Sequence, residues 1–448
     1  MCRIPTLALF ATAALAWPSG QTTARAAEVD YRTQIKPLLT EKCYSCHGVL
    51  KQESSLRLET RELMLQGGDS GQAIVPGEPE RSLIIERIRS VDSDRMPPHE
   101  EGSALTPDQI RLVETWIRQG AESPPESIPV DPEQHWAFQP VVRPSLPATP
   151  RASHPIDALL EVKHASRAIR PQPAALRSLQ IRRLYLDLLG LPPTAQQLAD
   201  PRPWSQIVDE LLSNPNHGER WARHWMDIWR YSDWYGLGAQ LRNSQKHLWH
   251  WRDWIVDSLN RDKGYDRMVL EMLAGDELAP KDPGVLAATG FLARNYYLFN
   301  RTTWLDSTIE HTSKAFLGLT INCAKCHDHK YDPVTQHDYY RLRAIFEPHQ
   351  VRLDPIPGTV TFEKDGLPRV FDDDVTIATY LHVRGDPKNP DKSRKVTPGV
   401  PAILEHFAPT VEPVELPVSA YAPGVRDYVR SDRVQFAKAA VRSAEQQL

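Results

Sequence analysis

Apolar positions repeat at helical spacing over most of this chain. Ile35, Leu38 and Leu39 mark one face of a short helix that runs into Cys43 and Cys46, with Gly48 as its stop. Leu83, Ile84, Ile85 and Ile88 mark a second helix, entered through Pro79. A third is bracketed at both ends. Thr106 is an N-cap, Pro107 fits the first helical position, Gln109 completes a capping box, and Ile110, Val113, Trp116 and Ile117 repeat before Gly120. Further along, Leu184, Leu188 and Leu189 precede the helix stop Gly190-Leu191-Pro192-Pro193, and Ile207, Leu211 and Leu212 mark another helix. A helix over Gln336–Phe346 carries Tyr339, Leu342 and Ile345. Thr376 to Val383 alternates like a strand, and the chain closes on a polar helix. The expected fold is mainly α: a small helical domain over 28–122, a larger helical domain over 156–350, and an irregular segment over 351–448 with minor β.

Between the two helical regions, residues 123–155 hold nine prolines: 124, 125, 129, 132, 140, 144, 147, 150 and 155. Proline fixes its own φ and pushes the preceding residue toward extended backbone, so this stretch reads as a semi-rigid linker. His135-Trp136-Ala137-Phe138 interrupts it with apolar bulk, which predicts docking on a neighbouring domain.

Composition narrows the classes. The chain has 448 residues, 25% of them charged, and a net charge of −4. That excludes the basic balance expected of a nucleic-acid binder. Met1 to Ala27 reads as a secretory signal: Arg3 starts it, an apolar run follows from Ile4 to Trp17, and Ala24-Arg25-Ala26 fits the cleavage pattern. The expected location is extracytoplasmic or periplasmic, with no membrane span after signal removal.

Of the five cysteines, Cys2 falls in that leader and the other four form two identical spacings. Cys43-Tyr44-Ser45-Cys46-His47 places two thiols on one helical turn followed at once by an imidazole. Such thiols add across the two vinyl groups of one haem, and the His reaches the iron, so C-x-x-C-H predicts c-type haem attachment. Cys323-Ala324-Lys325-Cys326-His327 repeats the pattern. One or two haem c groups follow, with His47 and His327 as proximal iron ligands. Met96, in Arg95-Met96-Pro97-Pro98-His99, sits on a loop that the prolines keep extended, and His/Met ligation makes it the expected sixth ligand of the first iron; Met64 and His99 are the alternatives. At the second motif, His224 is the first candidate for a distal ligand, followed by Met226 and His311. Cys323, Cys326 and His329 also suit a zinc site, and a disulfide is a third reading.

Seven of the twelve tryptophans lie between 221 and 254. A Trp-rich core explains most of them; a haem-pocket wall and stacking platforms for a polysaccharide partner are the sharper readings. Arg223, Asp227 and Arg230 on another face read as a buried ion-pair lattice. Asp372-Asp373-Asp374 reads as a solvated turn rather than a calcium site.

Cys43-Tyr44-Ser45-Cys46-His47, the Met96-Pro97-Pro98 loop and Trp116-Ile117-x-x-Gly120 together resemble the planctomycete-type cytochrome c domain. Arg223-His224-Trp225-Met226-Asp227, Arg252-Asp253-Trp254 and Cys323 through Pro333 resemble the planctomycete-specific domain of unknown function that follows it, and His135-Trp136-Ala137-Phe138 is similar to the segment joining the two. The resemblance implies haem binding and electron transfer with an unidentified donor and acceptor, and it implies no substrate. Val383-Arg384-Gly385-Asp386-Pro387 resembles the approach to a further domain, so 351–448 reads as a truncated approach to it. A haem-dependent redox enzyme, either a peroxidase or a carbohydrate dehydrogenase, is the competing class. A mono-haem cytochrome with a carbohydrate-binding or structural metal-binding second domain is another.

Overall fold

The computed structural model describes residues 29–99, 101–130, 134–148, 154–232, 246–294, 296–297, 300–407, 410, 412 and 414–447. Residues 1–28, with the expected leader and Cys2, lie outside them. The chain divides into two compact units, Met1–Pro132 and Glu133–Leu448. The fold is mainly α, with two small antiparallel sheets late in the chain.

Among the described residues, the first unit is four short α-helices around one core. A turn over Tyr31–Ile35 is capped by Asp30, whose carboxylate accepts from the Thr33 N–H at 2.7 Å, and it continues into α1 (Lys36–Lys42). Thr60 caps α2 (Arg61–Gln66), and α3 (Leu83–Arg89) follows. The last helix, α4 (Pro107–Arg118), starts on the capping box of Thr106 and Gln109, a device that stabilises a helix end by about 1 kcal/mol. Ile35, Leu39, Met64, Ile74 and Trp116 are fully buried, and Tyr31 stacks on Trp116 at 5.5 Å. The Trp116 indole is satisfied inside, donating to the Glu122 carbonyl at 2.9 Å. One expectation is corrected here. The first helix ends at Lys42, before the cysteines, and Cys43 is its C-cap at φ −123°. The N–H groups of Cys46 and His47 then both turn back onto the Cys43 carbonyl, at 3.1 and 2.9 Å, which makes a separate turn out of the motif.

The second unit begins with α5 (Pro155–Ser166), α6 (Arg177–Leu188), α7 (Ala195–Leu198) and α8 (Trp204–Leu212). Ile181, Tyr185, Ile207 and Leu211 form a small satellite core among these. Its main body holds α9 (Pro215–Ile228), α10 (Trp249–Asn260), α11 (Tyr265–Leu278), α12 (Pro283–Leu286), α13 (Gly290–Ala293), α14 (Arg301–Thr312) and α15 (Gln336–Phe346). Strands β1 (His349–Asp354) and β2 (Leu367–Asp372) pair antiparallel, with Val351 opposite Val370. Strands β3 (Thr379–His382) and β4 (Pro390–Val396) pair likewise, with an irregularity between Tyr380 and Leu381. Two helices, α16 (Val418–Tyr421) and α17 (Asp427–Glu445), close the chain.

Trp229, Trp251, Trp254 and Trp304 are buried in this unit, so these four are core side chains rather than exposed platforms. The Trp254 indole donates to Glu271, which also takes Lys263 and Arg267. Trp221 alone of the α9 tryptophans is exposed at its surface. The expected buried lattice on α9 is absent: Arg223 and Asp227 are exposed and 3.9 Å apart, because the helix turns their face to solvent. Asp372 lies at the end of β2, while Asp374 caps a turn through Thr376, accepting from its N–H at 2.8 Å. Trp136 is 80% exposed and tilts against His135 within its own turn.

Candidate haem sites

The first motif lines a cavity of about 430 Å³. Cys43, Cys46 and His47 form one wall, Met96 and its two prolines another, and Leu56, Leu58, Ala73, Leu83, Ile84 and Ile88 complete an apolar lining. Local chemistry shapes each wall. The Glu53 N–H donates to the Cys46 carbonyl at 3.0 Å and the Leu58 N–H to that of His47 at 2.9 Å, fastening the motif to the next segment. Gly48 is needed for close approach, since a Cβ there would stand 2.5 Å from the Tyr44 carbonyl oxygen. The buried Glu59 carboxylate receives the Val49 N–H and Arg57, holding the turn after the motif.

The opposite wall is tied to α3. The Met96 N–H donates to the Arg87 carbonyl at 3.0 Å, and the buried Arg95 guanidinium donates to the Gly102 carbonyl at 2.9 Å. Those two bonds close the loop that carries Met96. The alternatives are placed elsewhere: Met64 is fully buried in the core and His99 is exposed, and neither lines the cavity.

Whether these residues suit a haem is decided by His47. Its Nδ1 is buried with no hydrogen-bond partner. Burial holds the imidazole below the usual histidine range, with the backbone of Glu53 and Leu56 pulling partly the other way. A neutral imidazole with an unmatched nitrogen is the form that binds iron. Burial also pushes the Cys43 thiol up to about 12, with Cys46 adding to the effect and Lys42 opposing it. Two thiols on one turn, a neutral imidazole, a thioether and an apolar lining fit a covalently attached haem. Cys43 and Cys46 would hold its vinyl carbons, and His47 and Met96 its iron.

The second motif is built differently. Cys323 lies in a short turn over Asn322–Lys325 and Cys326 caps it, both free and exposed, and His327 is exposed beside them. The His327 Nδ1 lies 2.7 Å from the Asp328 carbonyl oxygen. A ring N–H aimed at a carbonyl in this way leaves Nε2 as the lone-pair nitrogen, the arrangement metal-bound histidines use. Lys325, between the two cysteines, pairs with Asp306 at 2.6 Å, and Asp306 also accepts from Tyr339 at 2.5 Å. Cys326 is close against the turn before β4: a Cβ on Gly385 would lie 2.4 Å from its sulfur.

The other groups considered for this site are scattered. His329 is spent on its own loop, where its Nδ1 accepts from the Asp332 N–H at 2.9 Å. Among the described residues, no three His, Cys, Asp or Glu side chains gather to hold a metal ion, which leaves the Cys323/Cys326/His329 zinc set unassembled. His224 is exposed against Trp221, Met226 packs on the main core, and His311 is half-buried. None of the three, and none of Cys323, Cys326 and His327, lines either described cavity. The second of these, about 520 Å³ between α10 and the α12 turn, includes His250, Asp253, Asp257 and Lys263. Sequence reasoning did not single it out: His250, Asp253 and Asp257 share a face of α10, but Asp282, Ile356 and Leu367 join them only through tertiary packing.

Residues 43–100 match the family model described as Planctomycete cytochrome C, and residues 155–351 match the one described as a protein of unknown function, DUF1549. No curated protein and no solved structure matches the chain. Among the described residues, no helix is long and apolar enough to cross a membrane.

Proposed function

From the premise that this chain carries a planctomycete cytochrome c domain ahead of a DUF1549 domain, we propose that it is an exported electron-transfer protein. The observation that carries the reading is the convergence of Cys43, Cys46, His47 and Met96 on one apolar cavity. A haem held there supplies reversible one-electron exchange at its iron. The residues around it do the rest. Cys43 and Cys46 tether the ring, so the group is not lost to dilution outside the cell. His47 offers a neutral nitrogen, and Met96 a soft thioether that favours the reduced state and raises the potential. The apolar part of the lining, Leu56, Leu58, Ala73, Ile84 and Ile88, would lower the water density around the ring and so disfavour the more highly charged oxidised iron. With Met96 as a second ligand beside His47, no coordination position would remain for a substrate, which separates this reading from a peroxidase.

A second haem on Cys323, Cys326 and His327 belongs to the same proposal. It is supported by the exposed thiols and by the His327 ring being oriented through Nδ1. The test is haem stoichiometry per chain after expression with a c-type maturation system. Two haems in the wild type, one in Cys323→Ala/Cys326→Ala and one in Cys43→Ala/Cys46→Ala are expected. A single haem, lost with Cys43 and Cys46, would confine the function to the first unit. Rapid cyanide binding to the oxidised chain would favour the enzymatic reading.

A further inference from the structure

Helix α13 meets α10 at very short range, since a Cβ on Gly290 would lie 2.5 Å from Cβ of Trp251. That contact carries Arg294, the residue capping α13, into the interior. Arg294 is 7% exposed, with its guanidinium 4.1 Å from the Phe291 ring centre and 5.9 Å from that of Trp251. One terminal nitrogen donates to the Phe291 carbonyl. Its Nε and its other terminal nitrogen are buried with no partner at all, and so is the Trp251 indole N–H. Burying a cation without a counter-charge is among the most costly arrangements in a protein.

The surroundings make the imbalance worse. Arg230 and the half-buried His311 lie near enough for their charges to act on Arg294 or on each other. Burial first, and then Arg230, lowers the Arg294 guanidinium to about 9; burial first, and then Arg294, lowers His311 to about 4. Glu310 is the acid that works against this on His311, and it is engaged by Lys314. Arg230 is exposed, at the end of α9 with φ +60°, so the cationic groups run from the surface to a buried fork.

We propose that Arg294 receives an oxyanion, a carboxylate or sulfate group of a ligand, on its Nε and free terminal nitrogen. The indole N–H of Trp251, buried without a partner on the ring 5.9 Å away, is a further free donor in this interior, and Arg230 adds positive charge from the surface. A guanidinium presents Nε and one terminal nitrogen as a planar fork that matches two oxygens of such a group. The aromatic rings around it exclude water and strengthen the contact. The carboxylate has two sources. It belongs to a diffusible acidic ligand, or it is a propionate of a haem on the second motif, which α14 approaches through the Glu310 contact with Asn322.

The test uses the full chain, with glucuronate and inorganic sulfate as probes and glucose and chloride at matched ionic strength as controls. Thermal melting and tryptophan fluorescence are read together. A saturable rise in melting temperature with a fluorescence change is expected for at least one probe, and it is absent in Arg294→Met. Without probe, Arg294→Met melts at the wild-type temperature or above it, since an unpaired buried charge has been removed. Arg294→Lys keeps the charge without the fork and should weaken binding at least about tenfold, as loss of a partner does in buried charge pairs. Saturation seen only in Cys323→Ala/Cys326→Ala assigns the position to a haem propionate and rests on the second-haem reading. Saturation in the wild type is independent of it. No saturable response in either chain overturns the proposal, as does an Arg294→Met that binds both probes as the wild type does.

Discussion

The backbone N–H of Met96 donates to the carbonyl oxygen of Arg87 at 3.0 Å. A single bond thus fixes the height of the Pro-Pro loop on α3 and brings the thioether to the cavity that the two cysteines and His47 line. Met96→Leu keeps the backbone bond and the volume while removing the sulfur. The oxidised chain should lose its weak sulfur–iron charge-transfer band and its potential should fall. An unchanged spectrum and potential would move the ligand to another residue.

Gly48 gives a second expectation, about attachment rather than ligation. A Cβ there would stand 2.5 Å from the Tyr44 carbonyl and 3.5 Å from the Glu59 carboxylate, inside the turn that carries both cysteines. Gly48→Ala must shift backbone, a strain of about 1–3 kcal/mol for an overpacked site. Haem incorporation into the first unit should drop, with the unincorporated fraction melting lower. Full incorporation and an unchanged melt would mean the turn yields without cost.

The proline-rich stretch leads to a proteolytic test. Its first residues stay with the first unit: Lys36 pairs with Glu126 at 2.5 Å, and Arg57 donates to the Pro129 carbonyl at 3.0 Å. Residues 139–148 have no helix or strand, and Val141 and Val142 are exposed. Limited digestion should therefore cut within 139–148 and release a haem-stained N-terminal fragment. A first cut before residue 130 would show that these tethering contacts do not form.

These cases mark what the chain's own pattern makes legible. The α4 helix was readable to the residue, because Thr106, Pro107 and Gln109 act locally and the apolar repeat is long. The Gln336–Phe346 helix was readable for the same reason. The short α1 was misjudged at its end, since Cys43 leaves helical geometry only because the motif turns back on its carbonyl. The β1–β2 ladder was not singled out, as the alternation in β1 spans only Val351 and Leu353 and, in β2, Arg369 falls on the same side as Leu367 and Phe371. Arg352 and Arg369 are both taken up by Asp354, which is fully buried and also holds Arg426. The approach of Met96 to the cavity was legible from two prolines. The placement of Arg294 was not, because it depends on where α13 meets α10.

His349 provides a pH test of the second unit. It is 4% exposed, 4.4 Å from the Trp304 ring, its Nδ1 close to the Phe346 carbonyl and its Nε2 without a partner. Burial lowers it from 6.5 to about 4. Between those values the unfolded chain binds a proton that the folded chain refuses, so its contribution is lost as pH falls from 6.5 toward 4. Asp276 and Asp372, which burial raises to about 6, act in the opposite sense over nearly the same range. Only a difference between variants isolates the histidine. His349→Phe should flatten the fall in stability by up to roughly 3 kcal/mol across that window, measured by denaturant titration at several pH values. Parallel curves for the two chains would refute the assignment.

The last prediction concerns Gly385 and Cys326. Gly385 adopts φ +73°, and a Cβ on it would lie 2.4 Å from the Cys326 sulfur and 3.3 Å from the Lys325 carbonyl oxygen. Two penalties therefore meet in Gly385→Ala. Left-handed backbone costs a non-glycine residue about 1 kcal/mol, and the methyl group has to displace either the sulfur or the backbone of the motif. The Lys325 backbone has little freedom to yield. Its carbonyl takes the Gln336 side-chain amide at 2.9 Å and the Tyr340 hydroxyl at 3.3 Å, while its ammonium is held by Asp306. The sulfur is the part that moves. If that sulfur is one of the two that bind a haem, its displacement should lower attachment at the second motif and leave the first untouched. Total haem should fall from two per chain toward one, with peptide mass mapping showing unmodified Cys323 and Cys326. Gly385→Ser carries the same backbone penalty with an added hydroxyl and should behave alike. Equal haem content in wild type and both variants, with the second motif modified in all three, would show that the contact plays no part in attachment.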